Sequence, residues 1–161
     1  MKKYLFLFVA LTTIGLTTYF SLLPLNGNSQ ADISNLYMTS ITPAGFTFSI
    51  WSLIYLSWLV LGYFLIGRKS KHQRPLSFPL AVGLTALWLV PWHYEYIATS
   101  FFLMLIILGL LLHAFFKQSY FRVKQYSLEL FLGWILVATI ANLHVLLVAY
   151  ELYSFPLTFT A

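Results

Sequence analysis

Five long apolar segments occupy most of the chain, and they restrict it to a small set of folds. They cover residues 4–23, 46–66, 76–92, 97–116 and 128–150. Each holds about 17 to 23 residues, enough for a helix to cross a ~30 Å hydrocarbon core at about 1.5 Å per residue. The sequence therefore predicts an all-α integral membrane protein, a bundle of five transmembrane helices that forms one domain over residues 1–161.

The composition is that of a chain whose main solvent is lipid. Hydrophobic residues make up 60% of the sequence and charged residues 8%, and the mean hydropathy is +0.83. Trp and Tyr, which partition to the interfaces of a bilayer, contribute to an aromatic content of 19%. The chain has no cysteine, which excludes disulfides, thiolate metal sites and thiol nucleophiles.

Basic residues are confined to alternate connections between the apolar segments. They lie before the first segment, between the second and third, or between the fourth and fifth: Lys2, Lys3, Arg68, Lys69, Lys71, Arg74, Lys117, Arg122 and Lys124. The other connections hold Asp32, Glu95 and Glu151 and no basic residue. By the positive-inside rule, the N-terminus is predicted on the cytoplasmic side of the membrane and the C-terminus outside.

Two other interpretations of the charged residues are less favoured. The first segment follows Lys2 and Lys3, as in a signal peptide. However, about twenty apolar residues with no small-x-small cleavage site after them favour a retained helix. The pI of about 9.5 is also found in nucleic-acid-binding proteins, but here the basic residues sit in short loops. No nucleic-acid partner is therefore expected, and the predicted partner is the lipid bilayer.

Ionisable residues are absent from the middle of every apolar segment. An Asp, Lys or Arg at a helix centre costs about 2.5 to 3.5 kcal/mol in a bilayer. Its absence argues against an ion-coupled transporter, a proton pump or a charged pore, and the paired carboxylates of an acid–base enzyme are also missing. His72, His93, His113 and His144 have no spacing that places two ligands on one helix face, so no metal site is expected.

The second apolar segment carries an aromatic face. Trp51, Tyr55 and Trp58 recur at helical spacing and are followed on the same face by Gly62, which allows a neighbouring helix to approach closely. Such a face is typical of packing between helices and equally of the wall of a ligand pocket. The sequence leaves both interpretations open.

The fifth segment carries a face of smaller side chains around one tryptophan. Trp134, Ala138 and Ala141 lie on this face, flanked by Thr139 and Asn142. Asn142 lies about 12 Å below the outer end of the predicted helix at 1.5 Å per residue. Because an amide in lipid needs a hydrogen-bond partner, Asn142 is predicted to contact either another helix or a ligand.

Two outer connections are candidates for the edge of a pocket. Residues 24–42 are long and polar, with a turn at 26–28 and a short helix predicted at 32–38, and long connections often act as lids. The stretch PWHYEY at 91–96 ends the third segment. Its aromatic residues are typical of a bilayer interface, whereas His93 and Glu95 would suit a pocket mouth.

The order of these motifs resembles the translocator protein family, also called TspO or tryptophan-rich sensory proteins. The stretch from Pro43 to Tyr55 is similar to that family's P-x7-W-x-x-L-Y signature at the start of its second helix, with Ile54 in place of the leucine. Ala138, Thr139 and Asn142 match its A-T-x-x-N motif in the fifth helix. The resemblance spans most of the chain and points to a divergent bacterial branch.

The resemblance implies a five-helix bundle, often a homodimer, with a pocket for small apolar ligands such as porphyrins, haem-pathway intermediates or sterols. It implies no obligatory cofactor, and a porphyrin or haem would be a bound ligand. The predicted ligand-binding residues are Trp51, Tyr55, Trp88, Trp134, Ala138, Thr139 and Asn142. The chain departs from the family at Gly45, where a tryptophan is common, and at Thr85, where an asparagine is common.

The predicted function is that of a membrane-embedded binding or sensory protein for a tetrapyrrole-like or sterol-like ligand. Two alternatives stay open. One is a membrane enzyme that promotes oxidative tetrapyrrole degradation through tryptophan redox chemistry. The other is a structural subunit that assembles with other chains and binds no ligand.

Overall fold

The structure, a computed structural model, describes residues 3–39, 41–66, 75–117 and 122–152. Its α-helices in these ranges are α1 (Lys3–Leu22), α2 (Gln30–Leu36), α3 (Ile50–Ile66), α4 (Ser77–His93), α5 (Ile97–Phe116) and α6 (Arg122–Ala149). Two short 3-10 turns, Leu25–Gly27 and Gly45–Ser49, lie between α1 and α3, and the described ranges contain no strand. The prediction of an all-α chain is confirmed.

Four helical stretches are long and apolar enough to cross a membrane: Tyr4–Leu22, Gly45–Ile66, Ile97–Phe116 and Gln125–Ala149. The predicted segment at 76–92 forms α4, which has only 17 residues and is not among the four. Pro79 lies in its first turn, where a missing N–H is tolerated, and Pro91 lies inside its last turn. The predicted count of five membrane spans is therefore not confirmed by helix length and composition.

Helix α6 begins earlier than the apolar pattern indicates. The pattern places the last segment at 128–150, but the helix starts at Arg122, because Arg, Lys and Gln are good helix formers that extend a helix beyond its apolar part. Glu129 therefore lies beyond the first turn of α6, and its Oε1 accepts a hydrogen bond from Gln125 Nε2 at 2.9 Å.

The five long helices form a closed ring. Helix α1 packs against α3 and α4, α3 packs against α6, α6 against α5, and α5 against α4. Helix α2 lies against α4 at the end of the ring where α1 ends and α3 begins. We call this the lid end of the ring and the other the opposite end.

The opposite end is densely packed. Phe6 of α1 stacks on Phe78 of α4 with ring centroids 5.3 Å apart, and both rings are fully buried. Trp58 of α3 meets Phe131 of α6 edge to face at 5.0 Å. A Cβ atom on Gly62 would lie 2.7 Å from Leu7 Cδ1, so the glycine leaves room for the Leu7 side chain of α1 to pack against α3.

Polar side chains link neighbouring helices around the ring. Thr13 Oγ1 donates to Val82 O across α1 and α4 at 3.2 Å, and Ser127 Oγ donates to Ser57 O across α6 and α3 at 2.9 Å. In a bilayer such bonds contribute about 0.6 kcal/mol each on average. Individually they are weak, but together they fix how the helices are aligned along their axes.

The connection between α1 and α3 folds over the lid end. Its helix α2 begins with a capping box in which Ser29 Oγ accepts from the Asp32 N–H and Asp32 Oδ2 accepts from the Ser29 N–H. These hydrogen bonds hold the pKa of Asp32 below its usual value. Two residues of α2, Ile33 and Ser34, are buried. The short helix predicted at 32–38 is therefore present, and it begins and ends two residues earlier, at Gln30–Leu36.

Membrane orientation stays a prediction from the sequence. Lys2, Arg68, Lys69, Lys71 and Arg74 lie outside the described residues. The side chains of three further basic residues also lie outside the described part: Lys3, Arg122 and Lys124.

Candidate functional site

Five of the predicted binding residues surround one small cavity at the lid end of the ring. They are Trp51 of α3, Trp88 of α4, and Trp134, Ala138 and Asn142 of α6. The cavity has a volume of about 30 Å³, roughly the volume that one water molecule occupies in the liquid. We call it the indole cavity. Its other lining residues are Ser34, Pro43, Phe48, Trp92, Ala141 and Val145.

Aromatic rings contact each other around the indole cavity. Trp51 meets Trp134 edge to face at 6.1 Å, and Trp88 stacks on Trp92 at 5.5 Å. Phe48 meets Trp134 edge to face at 6.4 Å. Such pairs contribute about 0.5 to 1.5 kcal/mol each beyond the burial of their area, so the walls of the cavity are held in place by their own contacts.

Four polar atoms around the indole cavity are buried without a hydrogen-bond partner in the described part of the chain. They are Nε1 of Trp51, Trp88 and Trp134, and Oδ1 of Asn142. Leaving a buried polar group unpaired costs about 1 to 3 kcal/mol, so each such group calls for an explanation. Trp58 Nε1 is also unpaired and lies away from the cavity; what distinguishes the cavity is the grouping of four unpaired atoms.

The amide of Asn142 is half satisfied. Its Nδ2 donates to Ser100 Oγ of α5 at 3.0 Å, while Oδ1 has no described partner. The sequence predicts a contact with another helix or with a ligand, and the helix contact is observed. Ser100 itself is fully buried, and nothing in the sequence pattern had singled it out.

Tyr55 and Thr139 do not line the indole cavity. Thr139 is buried in α6, where its Oγ1 donates to Ile135 O at 2.6 Å. Tyr55 stacks on Trp51 at 5.8 Å and lines a different cleft. Gly45 and Thr85, at which the chain departs from the family pattern, are also not among the described lining residues.

The stretch PWHYEY anchors the lid. Trp92 Nε1 donates to Gln30 O at 3.3 Å, and Asn26 Nδ2 donates to His93 O at 3.3 Å. Tyr37 OH donates to Glu95 Oε2 at 2.8 Å. Burial and the bond to Glu95 raise the pKa of Tyr37. Three hydrogen bonds therefore join the connection that contains α2 to the end of α4 and the turn after it.

The side chains of this stretch differ in exposure. Tyr94 and Tyr96 are exposed, as expected at an interface, but Trp92 is 4% exposed and is part of the core. Glu95 is exposed and has a φ of +58°, whereas His93 is 2% exposed. A pocket mouth formed by His93 and Glu95 stays a prediction.

A larger cleft lies beside the indole cavity, between α1, α3 and the lid. It has a volume of about 370 Å³. We call it the hydroxyl cleft because Thr18, Ser21, Ser29, Ser52 and Tyr55 line it. Its other lining residues are Phe20, Leu22, Gln30, Ala31, Phe48, Trp51 and His93.

Phe48 and four of the hydroxyl residues, Thr18, Ser21, Ser29 and Ser52, were not predicted from the sequence. Phe48 lies in the 3-10 turn before α3, where helical spacing does not apply. Thr18 and Ser21 lie in an apolar segment in which single hydroxyl residues are common. Among the described residues, no group of three His, Asp or Glu side chains is arranged to hold a metal ion.

The fold and the lid-end cavity are those of an all-helical membrane protein with an aromatic-lined internal site. A family model for TSPO-like proteins matches residues 3–160, nearly the whole chain. The chain therefore belongs to the TSPO-like protein family, and the predicted resemblance is confirmed. No curated protein and no solved structure matches it.

Proposed function

We propose that this chain is a membrane-embedded binding and sensory protein for a small, largely apolar ligand that carries hydrogen-bond acceptors. The ligand would bind at the indole cavity, with Trp51, Trp88 and Trp134 against its apolar body. The membership in the TSPO-like family supports a membrane protein of this type. The nature of the ligand and the place where it binds are what we propose beyond that membership.

The observation that carries the proposal is the chemistry of the unpaired atoms around the indole cavity. Three indole N–H groups can only donate, and one amide oxygen can only accept. A ligand with several acceptor oxygens, one donor group such as a protonated carboxyl, and an apolar ring system would satisfy all four atoms and stack on the indoles. This pattern favours a carboxylate-bearing tetrapyrrole over a sterol, which offers a single hydroxyl group.

Binding of such a ligand requires the site to open. A cavity of about 30 Å³ is far below the ~300 to 1,000 Å³ of sites for drug-sized molecules. Phe48 and the lid residue Ser34 both line the cavity. We infer that the lid and Phe48 move together when a ligand binds, and that the three lid hydrogen bonds are broken.

The proposal is tested by quenching of tryptophan fluorescence in nanodiscs with protoporphyrin IX and with haem. Saturable quenching is expected, with an affinity that Asn142→Leu weakens by about fivefold or more because one polar contact is lost. Asn35→Leu, on the exposed face of α2, is the matched control and leaves the affinity unchanged. Linear quenching that is insensitive to Asn142→Leu would mean simple partitioning into lipid and would remove the tetrapyrrole from the proposal.

The enzymatic alternative rests on the contacts among oxidisable rings. Trp51 lies 5.8 Å from Tyr55 and 6.1 Å from Trp134, centroid to centroid, and closely spaced aromatic rings of this kind can pass a radical. If the chain degraded a bound tetrapyrrole under light, Trp134→Phe would abolish turnover and preserve binding.

A structural subunit would bind neither porphyrin nor haem, yet would change its assembly when Trp51 is replaced by Ala.

We also propose that α4 is a fifth membrane span and that the protein lies in a bacterial cytoplasmic membrane with its N-terminus on the cytoplasmic side. Helix α4 would reach about 26 Å at 1.5 Å per residue, close to the ~30 Å hydrocarbon core. It packs between α1 and α5, which are both long enough to span. Because the sequence has no cysteine, Glu95→Cys and Lys117→Cys can be labelled individually. An impermeant reagent added outside should label Glu95→Cys and not Lys117→Cys.

A homodimer remains an expectation from the family resemblance.

A further inference from the structure

The hydroxyl cleft is separated from the indole cavity by a wall of two side chains. Phe48 and Trp51 line both spaces. The cleft volume of about 370 Å³ falls within the ~300 to 1,000 Å³ of small-molecule sites. We propose that this cleft is a second binding site, which takes a neutral amphiphile through its hydroxyl group.

Two lining residues of the cleft define the group that it binds. Gln30 Oε1 is buried and has no hydrogen-bond partner in the described part of the chain. His93 is 2% exposed, and its Nδ1 lies 2.7 Å from Leu89 O. A carbonyl oxygen only accepts, so Nδ1 carries a proton, and Nε2 is the acceptor of that tautomer. A ligand that donates a hydrogen bond would pair with either acceptor.

The lack of charged side chains among the described lining residues favours a neutral ligand. No Asp, Glu, Lys or Arg is among the described lining residues. A carboxylate or an ammonium group would have no charged partner among these residues. A hydroxyl group can donate to Gln30 Oε1 or to His93 Nε2 and accept from a serine of the cleft. A neutral alcohol is therefore the ligand class that satisfies the cleft.

The position of the cleft suits a molecule that arrives from the lipid. Thr18, Ser21 and Leu22 belong to the last five residues of α1, and Ser52 to the first turn of α3. Thr18, Ser21 and Ser52 are exposed, so the cleft opens on the outside of the ring at the lid end. Phe20 and Phe48 provide apolar walls for the hydrocarbon body. An amphiphile would reach the cleft laterally, with its polar head near the level of the lipid headgroups.

Four probes of equal chain length test the ligand class: 12-bromododecan-1-ol, 12-bromododecanoic acid, 12-bromododecylamine and 1-bromododecane. Bromine quenches tryptophan fluorescence at contact, and the measurement is made on the full chain in nanodiscs. We expect saturable quenching by the alcohol, at a half-saturating concentration about tenfold lower than for the bromoalkane. Stronger binding of the acid or the amine would overturn the assignment to a neutral alcohol.

Two variants test the residues. Gln30→Leu and His93→Phe each remove one acceptor and should raise the half-saturating alcohol concentration by about fivefold. The matched controls are Asn35→Leu on the exposed face of α2, and His144→Phe. His144 also places Nδ1 against the carbonyl four residues before it, Ile140 O, at 2.9 Å. Neither control residue lines the cleft, so neither should change the alcohol affinity.

The outcomes separate this site from the proposed tetrapyrrole site. Equal quenching by alcohol and alkane, or an alcohol affinity that neither Gln30→Leu nor His93→Phe changes, would overturn the second site. Asn142→Leu should weaken tetrapyrrole binding and leave alcohol binding intact, because Asn142 lines only the indole cavity. If His93→Phe fails to fold, the alcohol affinity of Gln30→Leu alone decides whether the second site exists, because this variant changes a residue of α2 and not of the ring.

Discussion

The two ends of the helix ring use aromatic residues in opposite ways. At the opposite end, Phe6 and Phe78 are fully buried and stack on each other. At the lid end, Trp51, Trp88 and Trp134 surround a cavity and leave their N–H groups unpaired. Phenylalanine has no polar atom to satisfy, so it fills a core without cost, whereas clustered tryptophan without partners suits a site that a ligand completes. The contrast assigns stability to one end of the ring and the proposed binding site to the other.

The largest expected effect is a difference in stability between two Phe→Ala variants. Phe78→Ala removes a fully buried ring and should lower the free energy of unfolding by about 3 to 5 kcal/mol. Phe48→Ala removes a half-buried ring at the lid end and should cost less than half as much. Thermal unfolding in the same detergent measures both. Equal losses would mean that the lid end is as tightly packed as the opposite end.

A smaller effect is expected on the lid. Trp92→Phe removes the indole N–H that donates to Gln30 O. One hydrogen bond of about 0.5 to 1.5 kcal/mol should then be lost from the closed state. Amide hydrogen exchange in residues 30–36 should accelerate by about two- to tenfold. Trp88→Phe is the matched control because its Nε1 is unpaired; if it accelerates exchange equally, loss of ring packing and not of the hydrogen bond is responsible.

Replacing Asn142 should change stability less than ligand binding. Asn142→Leu loses the bond to Ser100 Oγ but also removes the unpaired Oδ1 from the interior. We expect these terms to offset to within about 1 kcal/mol, as measured by chemical unfolding. A loss well above that value would show that the amide is a structural link and would weaken its role in the site.

The smallest effect is a pH dependence of the lid. The capping-box bonds lower the pKa of Asp32 below the value of 3.8 that it would have without them. Its contribution to α2 is therefore present above that value and is lost as the pH falls through the lower folded-state pKa. Hydrogen exchange of α2, corrected for the pH dependence of the intrinsic exchange rate, should accelerate in this acidic window, and Asp32→Asn should abolish the dependence. Acceleration already at neutral pH would point to a different titrating group.

The sequence predicted the helix faces that line the indole cavity more reliably than the contacts that hold the lid over it. Trp51, Trp134, Ala138 and Asn142 converge because helical periodicity places them on faces that turn into the ring. Thr139 follows Ala138 directly, so it points about 100° away and bonds within its own helix. The lid contacts Trp92–Gln30 and Tyr37–Glu95 join residues 62 and 58 positions apart. No local pattern in a single sequence encodes such pairs.

The order of helices around the ring has a consequence for how the protein is made. Helices α1, α3, α4 and α5 are synthesised first, and by their contacts they form an arc that is open between α3 and α5. Helix α6 fills that gap and brings Trp134 and Asn142 with it. A chain that is still on the ribosome therefore has no indole cavity, and the site first exists when the last helix docks.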